Sequence, residues 1–197
     1  MAISTYQPWE NLSFEPELAS YTSNVLPLFV NNLEGQVLDV GPVCGSNINF
    51  FAQRVKRLYV CDMFLFLDRK RRKGLPLNRV EQYLDYPPKS FNGILLWNLI
   101  DHLDNSDVRR VVELGEKTVR PGGMVMIIVL GEQVIEQVVN SFVIGDGFRF
   151  YLRPQPHLDL PFHMRQNREI LALFSPFTLV KSFIYRNGVR EFLFQRD

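Results

Sequence analysis

The stretch that most constrains this chain is Met124-Val125-Met126-Ile127-Ile128-Val129-Leu130, which is apolar at every position. A strand with one face in water alternates polar and apolar residues, so a short unbroken run reads as a strand covered on both faces. Similar short runs precede it. Gln36-Val37-Leu38-Asp39-Val40 closes on Gly41-Pro42, Arg57 to Cys61 is a second, Val80 to Leu84 a weaker third, and Asn92 to Trp97 a fourth. Helical spacing fills the gaps: Ile48 to Lys56 puts Ile48, Phe51, Ala52 and Val55 on one face, and Ser106 to Val119 carries Val108, Val111, Val112 and Leu114. Asp104, Ser106 and Asp107 offer N-cap chemistry to the second helix, and Pro121-Gly122-Gly123 stops it. Strands alternating with helices build a parallel sheet. The end of the chain changes pattern, because Phe177 to Tyr185 and Val189 to Gln195 meet at Arg186-Asn187-Gly188, and Asn-Gly is a strong hairpin signal. The expectation is an α/β fold: a seven-stranded sheet, mostly parallel, ending in an antiparallel hairpin and covered by helices on both faces.

At 197 residues the chain is long enough for one such domain, spanning 1–197, and short for two. Residues 1–34 mix Tyr6, Trp9, Phe14 and Tyr21 with polar groups. They read as a helical N-terminal flap, with a short helix from about Leu18 to Asn31 despite Pro27. Residues 140–168 form a long aromatic insertion, read either as a lid over a substrate or as a hairpin packed on the core. Arg149, Arg153, Arg165 and Arg168 give it groups that can hold an anionic substrate.

Composition removes several function classes. A 46% hydrophobic content with 22% charge excludes a disordered chain, and a net charge of +1 argues against a protein built to grip nucleic acid. The run Asp68-Arg69-Lys70-Arg71-Arg72-Lys73 reads first as a solvated helix end, and second as a guide for a polyanion. Two cysteines, Cys44 and Cys61, are too few for a disulfide scaffold or a four-thiolate zinc site. His157, Asp159 and His163 supply too few ligands in a loop, so no metal is expected. No apolar run approaches the ~20 residues of a membrane span, and the N-terminus lacks a basic segment followed by an apolar one, so a cytoplasmic location is expected.

Ligands of open parallel sheets bind beyond the carboxyl ends of the strands. Those positions here are Asp39 and the turn Gly41-Pro42-Val43-Cys44-Gly45-Ser46-Asn47, then Asp62-Met63, Asp85-Tyr86, and Trp97-Asn98-Leu99. Asp62 stands 21 residues after Gly41, and an acid at that distance from a glycine turn accepts from both hydroxyls of a ribose. A dinucleotide is disfavoured, because Pro42 lacks a backbone N–H just where a phosphate needs one. A P-loop is absent, so a nucleoside without phosphates fits better.

Val37-Leu38-Asp39-Val40-Gly41-Pro42, Asp62, Asp85, Phe91-Asn92-Gly93-Ile94-Leu95-Leu96-Trp97-Asn98 and Val119-Arg120-Pro121-Gly122-Gly123-Met124 occur in that order. Together they resemble the successive motifs of class I S-adenosylmethionine-dependent methyltransferases, which have a Rossmann-like sheet. The resemblance spans roughly residues 35–130, and the terminal hairpin is similar to that family's last two strands. It implies S-adenosylmethionine as cofactor, with Gly41, Pro42, Gly45 and Asn47 lining the methionine and ribose part and Asp39 near the amino group. It further implies Asp62 on the ribose diol, Met63 on the adenine, Asp85 and Tyr86 at the adenine amino group, and Asn98 and Leu99 as the floor. His102 follows in Ile100-Asp101-His102-Leu103-Asp104, and is the candidate base for an acceptor that must lose a proton. A histidine making local hydrogen bonds at a helix start is the alternative.

The family's first motif reads acid-x-Gly-x-Gly-x-Gly. Here the second glycine is displaced by about two residues and Asn47 takes the third place. Asn tolerates left-handed geometry, so the turn can survive the change. The expected function is methyl transfer to a small-molecule acceptor. Two rivals stand beside it: a degenerate member of the fold serving as an interaction module, and an RNA or protein methyltransferase guided by residues 69–73.

Overall fold

In the computed structural model the described residues are 20–31, 33–75, 80–131 and 138–197. Tyr6, Trp9, Phe14 and most of the expected N-terminal flap lie outside them. The chain order is β1 (Ser20–Thr22), α1 (Leu26–Asn31), β2 (Gln36–Val40), α2 (Gly45–Ala52), β3 (Arg57–Cys61), α3 (Met63–Arg72), β4 (Phe91–Leu95) and α4 (Asn105–Thr118). It continues through β5 (Val119–Leu130), β6 (Asn140–Ile144), β7 (Arg149–Pro154), α5 (Asn167–Leu173), β8 (Thr178–Ile184) and β9 (Val189–Gln195).

The main sheet has the order β3-β2-β4-β5-β9-β8. Its first four strands are mutually parallel, and β9 and β8 close it antiparallel. The expected fold class is therefore the observed one, with six strands in the sheet rather than seven. The segment expected as a third strand, Val80 to Leu84, instead begins with a 3₁₀ turn over Val80–Gln82. Val80 and Leu84 are buried while Gln82 between them is exposed, which is helical spacing and not alternation.

The N-terminal helix is shorter than expected. It starts at Leu26, where Ser23 Oγ accepts from Leu26 N at 2.9 Å and Pro27 sits harmlessly in the first turn. At the other end of the pattern α4 runs straight into β5, and exposed Arg120-Pro121-Gly122 forms an irregular first stretch of that strand, with Gly122 at φ 75°. The hairpin turn at 186–188 holds as expected, with Gly188 at φ 82° and Asn187 Oδ1 accepting from Val189 N at 3.2 Å.

The two faces of the sheet are covered differently. One core joins β2 and β5 to α3, α4 and α5 through Leu38, Phe64, Val108, Ile127 and Phe174. The other joins Val37, Leu95 and Ile128 to α1 and α2, and to a second, three-stranded antiparallel sheet of order β1-β7-β6. The first part of the aromatic insertion, 140–154, is a hairpin packed on this core, its strands paired from Asn140↔Pro154 to Ile144↔Phe150.

Candidate functional site

The carboxyl ends of β2, β3 and β4 bring the glycine turn, Asp62 and Trp97 to one edge of the sheet. Asp39 pairs with Leu95 in the parallel β2–β4 ladder, so two residues further on Trp97 comes level with Gly41. A Cβ at Gly41 would overlap the Trp97 ring. The missing side chain at 41 is therefore filled by this indole. Trp97 Nε1 donates to Asp39 Oδ1, and the ring stacks on Phe142 at 5.9 Å while Phe150 meets it edge-on at 5.7 Å. Its backbone is left-handed at φ 40°, an uncommon and costly state for a bulky residue.

Asp39 is 3% exposed. Burial pushes its carboxyl up to about 6 against the opposing effect of the Trp97 bond, and the nearby Asp62 charge adds to the rise. Asp62 itself is half-buried and caps α3, its Oδ1 accepting from Leu65 N at 2.9 Å. Its Oδ2 holds a single long bond, from Val43 N at 3.4 Å, which ties the acid to the glycine turn. Gly45, at the start of α2, is exposed with open space where a side chain would be. Pro42 is half-buried, Asp85 is exposed, and Tyr86 packs edge-on against Tyr59 and Phe91. The edge is open at Gly45, and beside Asp39 it is filled by the Trp97 ring.

The remaining expected residues lie deeper. Asn47 is buried, its Nδ2 donating to Phe142 O at 2.7 Å and its Oδ1 accepting from Ile144 N at 2.9 Å. Its amide is thus spent on β6. Met63, expected at the adenine, has no exposed surface and belongs to the core beneath α3. Asn98 and Leu99 are likewise fully buried.

His102 also has no exposed surface. Its Nδ1 meets Pro161 O at 2.9 Å, so that nitrogen carries the proton, and its Nε2 accepts from Asn98 Nδ2 at 3.2 Å. Phe64 and Phe162 face the ring edge-on, and burial lowers the imidazole to about 4. It is neutral at physiological pH, with both nitrogens engaged.

A group of buried charges lies near this edge, and of its members Arg190 carried no functional signal in the sequence. Asp101 Oδ2 accepts from Leu130 N at 2.8 Å, and burial holds its carboxyl up at about 8. Arg165 donates to Ile100 O and Leu103 O, and Arg190 donates to Arg165 O at 2.7 Å and Asn167 Oδ1 at 2.6 Å. Arg165 is therefore a buried strut and does not face a substrate. Arg149 is bonded to Ser20 Oγ at 2.7 Å, and Arg168 is exposed on α5. Of the arginines of the insertion, Arg149 and Arg165 are thus bonded within the chain, to different elements. The signal for burial was the apolar context of each charge, which acquires meaning only with the register.

The basic run is largely committed within the chain. Arg71 pairs with Asp159 at 3.2 Å, Arg72 with Asp68 at 2.7 Å and with His157 O, and Lys70 lies over the Tyr83 ring. Cys44 and Cys61 are free thiols; burial and the charges of Asp62 and Asp39 push Cys61 up to about 11. Among the described residues no group of His, Cys, Asp and Glu is arranged to hold a metal, and no helix is long and apolar enough to cross a membrane.

A family profile described as a methyltransferase domain matches residues 13–183. Among solved structures, an S-adenosylmethionine-dependent methyltransferase from Mesorhizobium loti is similar with a TM-score of 0.60, at 13% identity over 87% of this chain and 96% of that one. The N-methyltransferase NodS from Bradyrhizobium japonicum WM9 is similar with a TM-score of 0.56, at 16% identity over 87% of this chain and 92% of that one. An S-adenosylmethionine-dependent methyltransferase from Clostridium acetobutylicum gives a TM-score of 0.59, at 11% identity over 87% and 88%. No curated protein matches the sequence.

Proposed function

The chain belongs to the methyltransferase-domain family, and from that premise we propose that it transfers a methyl group from S-adenosylmethionine to a small-molecule acceptor. The observation that carries this reading is the half-buried Asp62 carboxylate, tied by one long bond to Val43 of a glycine turn that is open at Gly45. A carboxylate with spare acceptor capacity at this edge suits a ribose diol. Exposed Asp85 and half-buried Tyr86 supply the adenine end. The cofactor brings an electrophilic methyl on a sulfonium, so the protein's part is to hold the acceptor in line with it. His102 serves that edge as a positioning residue, fixing the backbone at Pro161 and the Asn98 amide.

The commitment of Lys70, Arg71 and Arg72 to contacts within the chain favours a small acceptor over a polyanion. The free thiols Cys44 and Cys61 suit a reducing compartment, the cytoplasm.

The test is calorimetric titration with S-adenosylhomocysteine. Asp62→Asn keeps an acceptor for the α3 cap and removes the charge, so it should weaken binding about 10- to 100-fold, the worth of a hydrogen bond to a charged group. Asp62→Ala should lose binding too, but with a lower melting temperature, since it also removes the cap at a cost of about 1 kcal/mol. An unchanged dissociation constant in Asp62→Asn would remove the ribose from this acid.

A further inference from the structure

We propose that Trp97 is a specificity-determining residue of this site: its indole sits where the amino-acid tail of the cofactor must lie, so a ligand with the tail has to displace the ring and a tail-less nucleoside does not. The inference rests on the cofactor reading above and adds to it which part of the ligand the protein resists.

Three observations converge on this ring. The β2–β4 register delivers it to Gly41, and the volume that glycine leaves free is the volume the indole takes. Its N–H is bound to Asp39, the acid expected to meet the tail's ammonium, so ring and ammonium compete for one carboxylate. Its backbone is held in a left-handed conformation at φ 40°, and such strain persists only where surrounding contacts over-determine it. Those contacts are Phe142 and Phe150 of the β6–β7 hairpin.

Displacement is chemically balanced on the carboxylate side. When the indole N–H leaves Asp39, an ammonium takes its place with a charge-assisted hydrogen bond, so the buried acid is never left without a donor. On the ring side the cost falls on every tail-bearing ligand alike. Apparent affinity is then the intrinsic affinity reduced by the fraction of molecules with the ring withdrawn. The nucleoside end, at Gly45 and Asp62, stays outside this competition.

The experiment compares S-adenosylhomocysteine with 5′-methylthioadenosine, which lacks the amino-acid tail, by calorimetry. Trp97→Ala should tighten the first by roughly 10-fold or more and leave the second within about 2-fold, since only the tail meets the ring. Trp97→Phe keeps most of the core volume and drops the N–H, and should tighten S-adenosylhomocysteine by a smaller factor; it serves if the alanine variant does not fold. A third measurement needs no change at 97. The chain has two tryptophans, so in a Trp9→Phe background the emission reports Trp97 alone. Its emission should move to longer wavelength as S-adenosylhomocysteine binds, and stay in place with 5′-methylthioadenosine. Binding of S-adenosylhomocysteine with an unmoved emission, or an unchanged ratio of the two affinities in both variants, overturns the proposal and leaves the cofactor reading intact. If neither ligand binds any folded form, the cofactor reading falls, and this proposal falls with it.

Discussion

His102 has no water contact and both nitrogens are engaged, so protonating it breaks an arrangement that the fold has already closed. Burial holds it at about 4, below the 6.5 of an unperturbed histidine. Between those values the unfolded chain binds the extra proton, so acid favours unfolding there. The stability His102 contributes is complete above about 6.5 and is lost as pH falls toward 4, by about 3 kcal/mol. Denaturant midpoints taken from pH 7 to pH 4 should show this loss, and the difference from a His102→Gln variant isolates it. If the variant falls as steeply as the wild type, other groups carry the acid sensitivity. The buried carboxyls of Asp39 and Asp101 act with the opposite sign. Burial raises them to about 6 and about 8, so the fold favours their protonated forms and their contribution is lost as pH rises through those values. Subtracting one protein from the other cancels both.

At the scale of elements, the joint between α2 and β6 hangs largely on one side chain. Asn47 satisfies Phe142 O and Ile144 N together, so Asn47→Ala leaves a buried donor and a buried acceptor unpaired, at about 1–3 kcal/mol each. The local consequence should be faster exchange of the Ile144 amide, by a factor on the order of 10 to 100, with β4 and β5 amides unaffected. Equal protection in the variant would mean that packing alone holds the hairpin down. The strand–helix alternation from Gln36 to Leu130 was readable because each element carries its own period. Val80 and Leu84 were not, since a pair four apart suits a strand and a helical turn equally. The β6–β7 hairpin bears a plain signal in Asp146-Gly147, with Gly147 at φ 62°, inside a segment whose length suggested a lid. β1 is three residues long and pairs with β7, far along the chain, so nothing local marks it.

Over the whole molecule, a few buried charges tie distant segments together. Glu191, with no exposed surface, accepts from Tyr21, Ser23 and Tyr185 hydroxyls and from Val25 N, joining the first described residues to the terminal hairpin. With the α3 cations largely engaged and a net charge of +1, RNA should bind no tighter than about 10⁻⁶ M at physiological salt, the non-specific range. Reversing Arg69 and Lys73 should leave methyl transfer unchanged; fluorescence anisotropy with labelled RNA and a methyl-transfer assay check the two halves, and a steep loss of activity in the reversed protein would restore the polyanion reading. The candidate edge was readable as the carboxyl ends of the expected parallel strands. What fills it was not, because Trp97 meets Gly41 only through the β2–β4 register, and no sequence spacing states a register. That meeting also limits the routes by which this chain can change. A larger residue at 41 is admissible only after the ring at 97 has shrunk, whereas a smaller residue at 97 needs no change at 41. The two positions are thus open to substitution in one order and closed in the other, and the double change should cost less than its parts added together.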